Sequence, residues 1–279
     1  KSFFMVSYKG LRLTREGTSS SNVITPLRSR GNFPEVPQSQ MIIDPTTGMP
    51  SQGKIIPASR ISQVVPKLQQ YYPSPNLPGV SQNLSTTNPN ANDTDQTVDR
   101  IDQNIGSSIR LSYRLQRQTG EILNGNAVPV NGVTSPLLTN NHTLSYTHTI
   151  TPTLIGEIRL GRNYFDSRTV NPFYVNGITD AGTNLGIPGF DADSKFGNPG
   201  IPDFNVTGFA GWNSSGTNWF QDDKTWQGSA QVSWTRGAHS IMAGVELRKL
   251  TTGRAAGNSP RGTFTFNNSY TTYAPASFV

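Results

Sequence analysis

Cysteine is absent from all 279 residues, which excludes a disulfide framework and any thiolate metal site. Charge is scarce: Asp, Glu, Lys and Arg make up 14% of the chain, against about 25% in an ordinary soluble domain. Hydrophobic residues are scarce too, at 33%, and the mean hydropathy is -0.46. No run approaches the ~18 consecutive apolar residues of a membrane helix, so a helical membrane protein is excluded. A membrane β-barrel is not, because its strands alternate and leave only a weak hydropathy signal. The net charge of +6 is scattered without a Lys/Arg block, so no nucleic-acid partner is expected. No GxSxG, HExxH, P-loop or Rossmann fingerprint occurs, and neither an enzyme nor a cofactor is expected. No secretory leader is visible before Phe4, Val6 and Tyr8, which share a strand face, and the chain reads as an internal fragment of something larger.

What is present is alternation. From Asn141, the residues Leu144, Tyr146, His148 and Ile150 alternate with Thr143, Ser145, Thr147 and Thr149. Thr151-Pro152-Thr153 interrupts the run, because proline lacks the amide that a ladder needs. The pattern then resumes, with Leu154, Ile158, Leu160 and Tyr164 on one face and Glu157, Arg159 and Asn163 on the other. Two long alternating runs around a minimal turn predict a β-hairpin. A second hairpin is predicted around Arg236-Gly237-Ala238: Trp226, Val232 and Trp234 oppose Gln227 and Gln231, and Ile241, Val245 and Leu247 oppose Glu246 and Arg248. A third turns at Gly106-Ser107-Ser108; after it Ile109, Leu111, Tyr113 and Leu115 oppose Arg110, Ser112 and Arg114.

The expected strands are 3–14, 95–105, 109–118, 141–150, 154–165, 224–235, 239–250 and 262–270, paired sequentially in an antiparallel meander. One short helix is expected within 59–72, limited by Pro66. Segments 15–94, 118–139 and 167–223 read as long Ser-, Asn-, Gly- and Pro-rich loops. Long and short connections alternate, as in an outer-membrane barrel with short periplasmic turns and long outer loops. Trp226 and Trp234, eight residues apart on one face, span roughly 26 Å of strand. Tilted by ~40°, that is about 20 Å, close to the ~25 Å lipid band between aromatic girdles. Leu144, Tyr146, Ile158, Leu160, Trp226, Val232, Trp234, Ile241, Val245 and Leu247 are therefore expected to face lipid. Arg110, Arg114, Glu157, Arg159, Glu246 and Arg248 are expected to line a wet lumen.

Seven segments also carry a family pattern in order: Phe3–Arg12 (FFMVSYKGLR), Ile43–Gly48, Ile55–Ser62 (IIPASRIS), Tyr71–Asn76, Asp99–Asn104, Trp234–Ile241 and Arg261–Phe266 (RGTFTF). Together they resemble the β-barrel of TonB-dependent receptors, in particular the Oar-like subfamily. Lys9 stands where that family has an acid, and Met242-Ala243-Gly244 where it has Lys-Phe-Gly. The resemblance implies a barrel of about 22 strands, plugged by an N-terminal domain and energised by the TonB complex. Its substrate would be a large scarce nutrient, such as a siderophore or an oligosaccharide. Eight strands do not close such a barrel, and plug and TonB box are not in this sequence. A soluble, secreted all-β binding module (an adhesin or carbohydrate-binding sandwich) is the competing reading, in which the bulky face would be buried.

Few residues offer other chemistry. Asp191-Ala192-Asp193 resembles the start of a calcium loop but lacks its third carboxylate and terminal Glu, and reads as a polar turn. His142 and His148 share a face six residues apart, too far for one zinc ion, and read as interfacial side chains. Trp212, Trp219, Phe220, Asp222 and Asp223 combine aromatics with carboxylates, a mixture suited to sugar or chelate contact. Packing of that loop on itself, or the outer girdle of a barrel, accounts for them equally.

Overall fold

A computed structural model describes residues 1–187, 199–213, 219–257, 259 and 261–279. Seven strands form one antiparallel sheet: β1 (Ser2–Ser21), β2 (Leu84–Ile105), β3 (Ile109–Asn124), β4 (Val133–Thr151), β5 (Leu154–Thr169), β7 (Trp219–Arg236) and β8 (His239–Ala256). Their order in space is their order in sequence, which makes the sheet a meander. The three tight turns close where expected. Gly106 and Gly237 take φ of +61° and +60°, a left-handed geometry that glycine adopts without a Cβ clash. Register places all three turns at one end: Ile105 faces Ile109, Leu154 pairs with Thr151, and Arg236 faces His239. The ladder is also staggered. Ile109 faces His148, while β4 runs on past it to Thr151, an offset of the kind that tilts strands in a barrel.

The opposite end departs from expectation in ways that burial explains. β1 extends to Ser21 and β2 starts at Leu84, so the first loop is 22–83 rather than 15–94. The second shrinks to 125–132, because β3 reaches Asn124 and β4 starts at Val133. Past Leu84, the β1 and β2 extensions are polar on both faces. Ser19 Oγ lies 3.2 Å from Thr86 Oγ1, and Asn88 Nδ2 donates to Ser19 Oγ at 2.8 Å. Two strand prolines are tolerated for a simple reason. Pro89 precedes the first β2–β3 pair, Asn90 with Asn124, and Pro136 precedes the first β4–β5 pair, Leu137 with Ser167. Each proline thus sits where the continuous ladder on one side stops, with Thr134 and Val170 pairing again past Pro136 as an isolated bridge.

The last expected strand, 262–270, is overturned. β9 covers only Thr263–Phe266 and leaves the meander to pair parallel with β6 (Asp203–Val206) in a separate two-stranded sheet. Its phenylalanines draw it there. Phe264 stacks on Phe204 at 5.2 Å, and Phe266 meets Phe278 edge-on at 5.3 Å. The helix expected over 59–72 is the single short α1 (Val64–Gln69), with Pro66 in its first turn, where no amide is needed. Two further short helices, α2 (Pro172–Val175) and α3 (Ala274–Phe278), flank the long loops.

The hydrophobic core lies away from the large sheet. Phe33, Ile42, Val65, Leu68, Leu185, Ile201, Phe204, Trp212 and Phe278 pack together from loops and short helices into a cap at the long-loop end. In the seven-stranded sheet only Leu84, the first residue of β2, is a buried hydrophobic. Phe4 and Leu247 are 86% and 73% exposed. A soluble sandwich requires one sealed face, and among the described residues this sheet has none.

Candidate functional site

The functional surfaces follow from register. Across β4, β5, β7 and β8, Tyr146, Ile158, Ala230 and Val245 lie side by side, as do Leu144, Leu160, Gly228 and Leu247. Val232 pairs with Ala243, and Trp234 with Leu154 and Ile241. All ten residues expected on the bulky face thus share one face of the sheet, with Trp234 near the turn end and Trp226 toward the loops. Tyrosine partners hold the two histidines of β4: Tyr113 Oη lies 2.8 Å from His142 Nδ1, and Tyr146 Oη 3.2 Å from His148 Nδ1.

The other face is a lattice of charges. Arg159 Nε donates to Glu157 Oε1 at 2.7 Å, and Gln231 Nε2 donates to Glu157 Oε2 at 2.6 Å from the adjacent strand. Arg248 pairs with Glu246 at 2.9 Å, and Asp102 receives both Arg100 (2.8 Å) and Arg110 (3.4 Å). Arg114 Nη2 donates to Gln116 Oε1 at 3.3 Å. Such pairs on exposed surface contribute little to stability. What they provide is a hydrophilic wall.

The five aromatic and acidic candidates do not form one site. Trp212 is 1% exposed and belongs to the cap core, which corrects its reading as a ligand contact. Its ring stacks on Tyr72 at 4.2 Å and Phe278 at 5.1 Å, and its Nε1 donates to the Leu68 carbonyl at 3.2 Å. The other four alternate along the start of β7. Trp219 and Asp223 fall on the charged face; Phe220 and Asp222 fall on the apolar one. Asp222 is paired with Lys224 at 2.7 Å, and Phe220 lies under Arg168 and beside Tyr174. Asp223 accepts from Gln221 Nε2 at 2.7 Å. The possible calcium loop at 191–197 lies outside the described residues. Among the described residues no three His, Asp or Glu side chains converge as a metal site.

The cap holds a cavity that sequence reasoning did not foresee. It measures about 710 Å³, with walls that include Ile42, Leu68, Phe264, Phe266 and Phe278. Asp44 and Arg60 form its polar wall through two hydrogen bonds of 3.0 Å. The amide and hydroxyl of Thr46 and the Arg60 guanidinium together lower the Asp44 carboxyl to about 2. Burial raises the Tyr72 phenol well above its ordinary range and pushes the Arg261 guanidinium down to about 10. The cap is further tied by Arg28, which pairs with Glu35 and lies over the rings of Phe209 and Tyr273. The segments supplying this cavity are far apart in sequence, and no local pattern marks them.

No helix among the described residues is long and apolar enough to cross a membrane. A family model described as an outer membrane beta barrel domain matches residues 1–279. No curated protein and no solved structure matches the chain.

Proposed function

The chain belongs to the outer membrane beta barrel domain family and resides in the bacterial outer membrane, and from that premise we propose that it is part of a TonB-dependent transporter for a large, scarce nutrient. The observation that carries this reading is the sheet itself: one apolar face, one charged face and no buried core between its strands. An apolar face left in water would be costly; against lipid it is stabilised. The charged face then lines a lumen wide enough for solute, and the ten apolar residues from Leu144 to Leu247 meet the acyl chains. β1 and β8 are the two edges of an open sheet, and a membrane tolerates no unpaired edge, so further strands complete the barrel. The in-order match to TonB-dependent receptors supports a large plugged barrel. In that reading the TonB complex engages a plug region outside this sequence. Trp219 and Asp223, on the charged face at the loop end, are the remaining substrate-contact candidates.

Growth under nutrient limitation tests the proposal. A strain lacking the full-length protein should fail on a limiting supply of one large nutrient, whether a chelated metal or an oligosaccharide. Removing TonB should produce the same failure. A barrel that conducts solutes in planar bilayers without any energy source is instead a passive pore, and that result would overturn the active-transport reading.

A further inference from the structure

The apolar face does not end in empty loop. Row by row toward the cap, Leu160, Gly228 and Leu247 are followed by His142, Arg162, Trp226 and Lys249 in direct register, and then by Tyr164 beside Lys224. Among these residues, strict alternation therefore puts three cations, Arg162, Lys249 and Lys224, on the face otherwise given to lipid. The Arg162 guanidinium lies 5.2 Å over the Trp226 ring, and Lys224 Nζ lies 5.7 Å from the centre of the Tyr164 ring. Both Arg162 and Lys249 are exposed, and among the described residues neither has a carboxylate partner. The nearby acids on this face, Asp222 and Asp166, are already paired with Lys224 and Arg168. Arg162 and Lys249 sit two strands apart, roughly 10 Å between backbones, with an interfacial tryptophan between them.

We propose that Arg162, Trp226 and Lys249 form a docking site for the phosphorylated headgroup of an outer-leaflet glycolipid, with lipid A as its chemical type. This rests on the reading of the apolar face as lipid-facing. A guanidinium supplies paired donors to phosphate oxygens, an ammonium supplies a second point charge, and tryptophan prefers the headgroup level. The acyl chains of the same lipid would lie along Leu160 and Leu247, directly below. Charge complementarity selects this occupant: an anionic headgroup meets two unpaired cations at the level where the apolar band stops.

The test uses the full-length barrel purified in detergent and measures retention of lipid A. Bisphosphorylated lipid A should bind more tightly than its dephosphorylated form. Each surface cation is worth about five-fold, so Arg162→Gln with Lys249→Gln should weaken binding about 30-fold. Swapping the charges, Arg162→Lys with Lys249→Arg, should keep most of the affinity. Lys9→Gln with Arg114→Gln, which removes the same net charge from the opposite face, should change nothing. Equal binding by the double Gln variant, equal binding of dephosphorylated lipid, or full competition by inorganic phosphate at equal concentration would each overturn the proposal. Its failure is distinct from failure of the lipid-facing reading, which is measured separately by Val232→Arg.

Discussion

Val232 and Gln231 are adjacent in β7, yet their side chains leave the sheet in opposite directions, toward Gly156 and Glu157 of β5 respectively. Val232→Arg should destabilise the full barrel by about 2–4 kcal/mol, because it puts a charge near the bilayer midplane. Gln231→Arg should cost little, since it joins a wall already occupied by Glu157 and Arg159. The pair holds backbone position nearly constant and changes only the medium; equal effects in folding titrations into lipid would show that the faces are not lipid and water. Trp212 carries a second prediction. Trp212→Ala should open a void in the cap worth about 3–5 kcal/mol, speeding hydrogen exchange at Val65 and Leu68 by roughly a hundred-fold or more while β5 and β7 keep their protection. A residue that served only a ligand would leave that exchange unchanged. From sequence, Trp212 was indistinguishable from an exposed ligand contact. Its partners Leu68 and Phe278 come from other loops, and the bond to Leu68 spans 144 residues.

Among elements, the loop carrying Asp44 has a pH dependence of definite sign. Its carboxyl is lowered from an ordinary 3.8 to about 2 by the Thr46 amide and hydroxyl and by Arg60. A depressed folded value means that ionised Asp44 holds the loop above about pH 4 and releases it as pH falls toward 2. Exchange at amides 44–60, corrected for its intrinsic pH dependence, should be flat from neutral to about pH 4.5 and rise below that. In Asp44→Asn the rise should vanish; an unchanged profile would assign the acid response to another group. The elements that sequence reveals are those with different media on their two faces. β4, β5, β7 and β8 alternate, with Tyr146, Ile158, Trp226 and Leu247 on one face and Glu157, Gln231 and Glu246 on the other, as strands proposed to stand between lipid and water should. Where strands of the sheet rise beyond the apolar band, as in Ser85–Asp95 of β2, both sides are polar, and periodicity vanishes although pairing continues. β9 fails for the opposite reason. Its Phe264 and Phe266 alternate correctly, but four residues form too short a segment to dictate a neighbour, and the aromatic partners Phe204 and Phe278 decide its place.

For the whole molecule the decisive feature is that the ends of the sheet differ. Gly106, Pro152 and Gly237 mark turns at one end, while loops 22–83, 125–132 and 170–218 leave from the other, and the loop end carries the hydrophobic core. A packed cap of that size does not pass through a bilayer as readily as a two-residue turn, so the turns are predicted to lie inside and the cap outside. These 279 residues contain no cysteine, so an introduced thiol has no competitor among them. Ser107 and Asn213 are both exposed and lie at opposite ends. In intact cells producing the full-length barrel, a membrane-impermeant maleimide should label Asn213→Cys at once. Ser107→Cys should remain unlabelled until the outer membrane is permeabilised, and should then react at a comparable rate. Labelling of both from outside would place turns and cap on one side, which a meander of odd strand count between them forbids; labelling of Ser107→Cys alone would invert the orientation. Inversion would also move Arg162 and Lys249 from the outer to the inner leaflet, so this one measurement fixes which lipid the cationic row can meet.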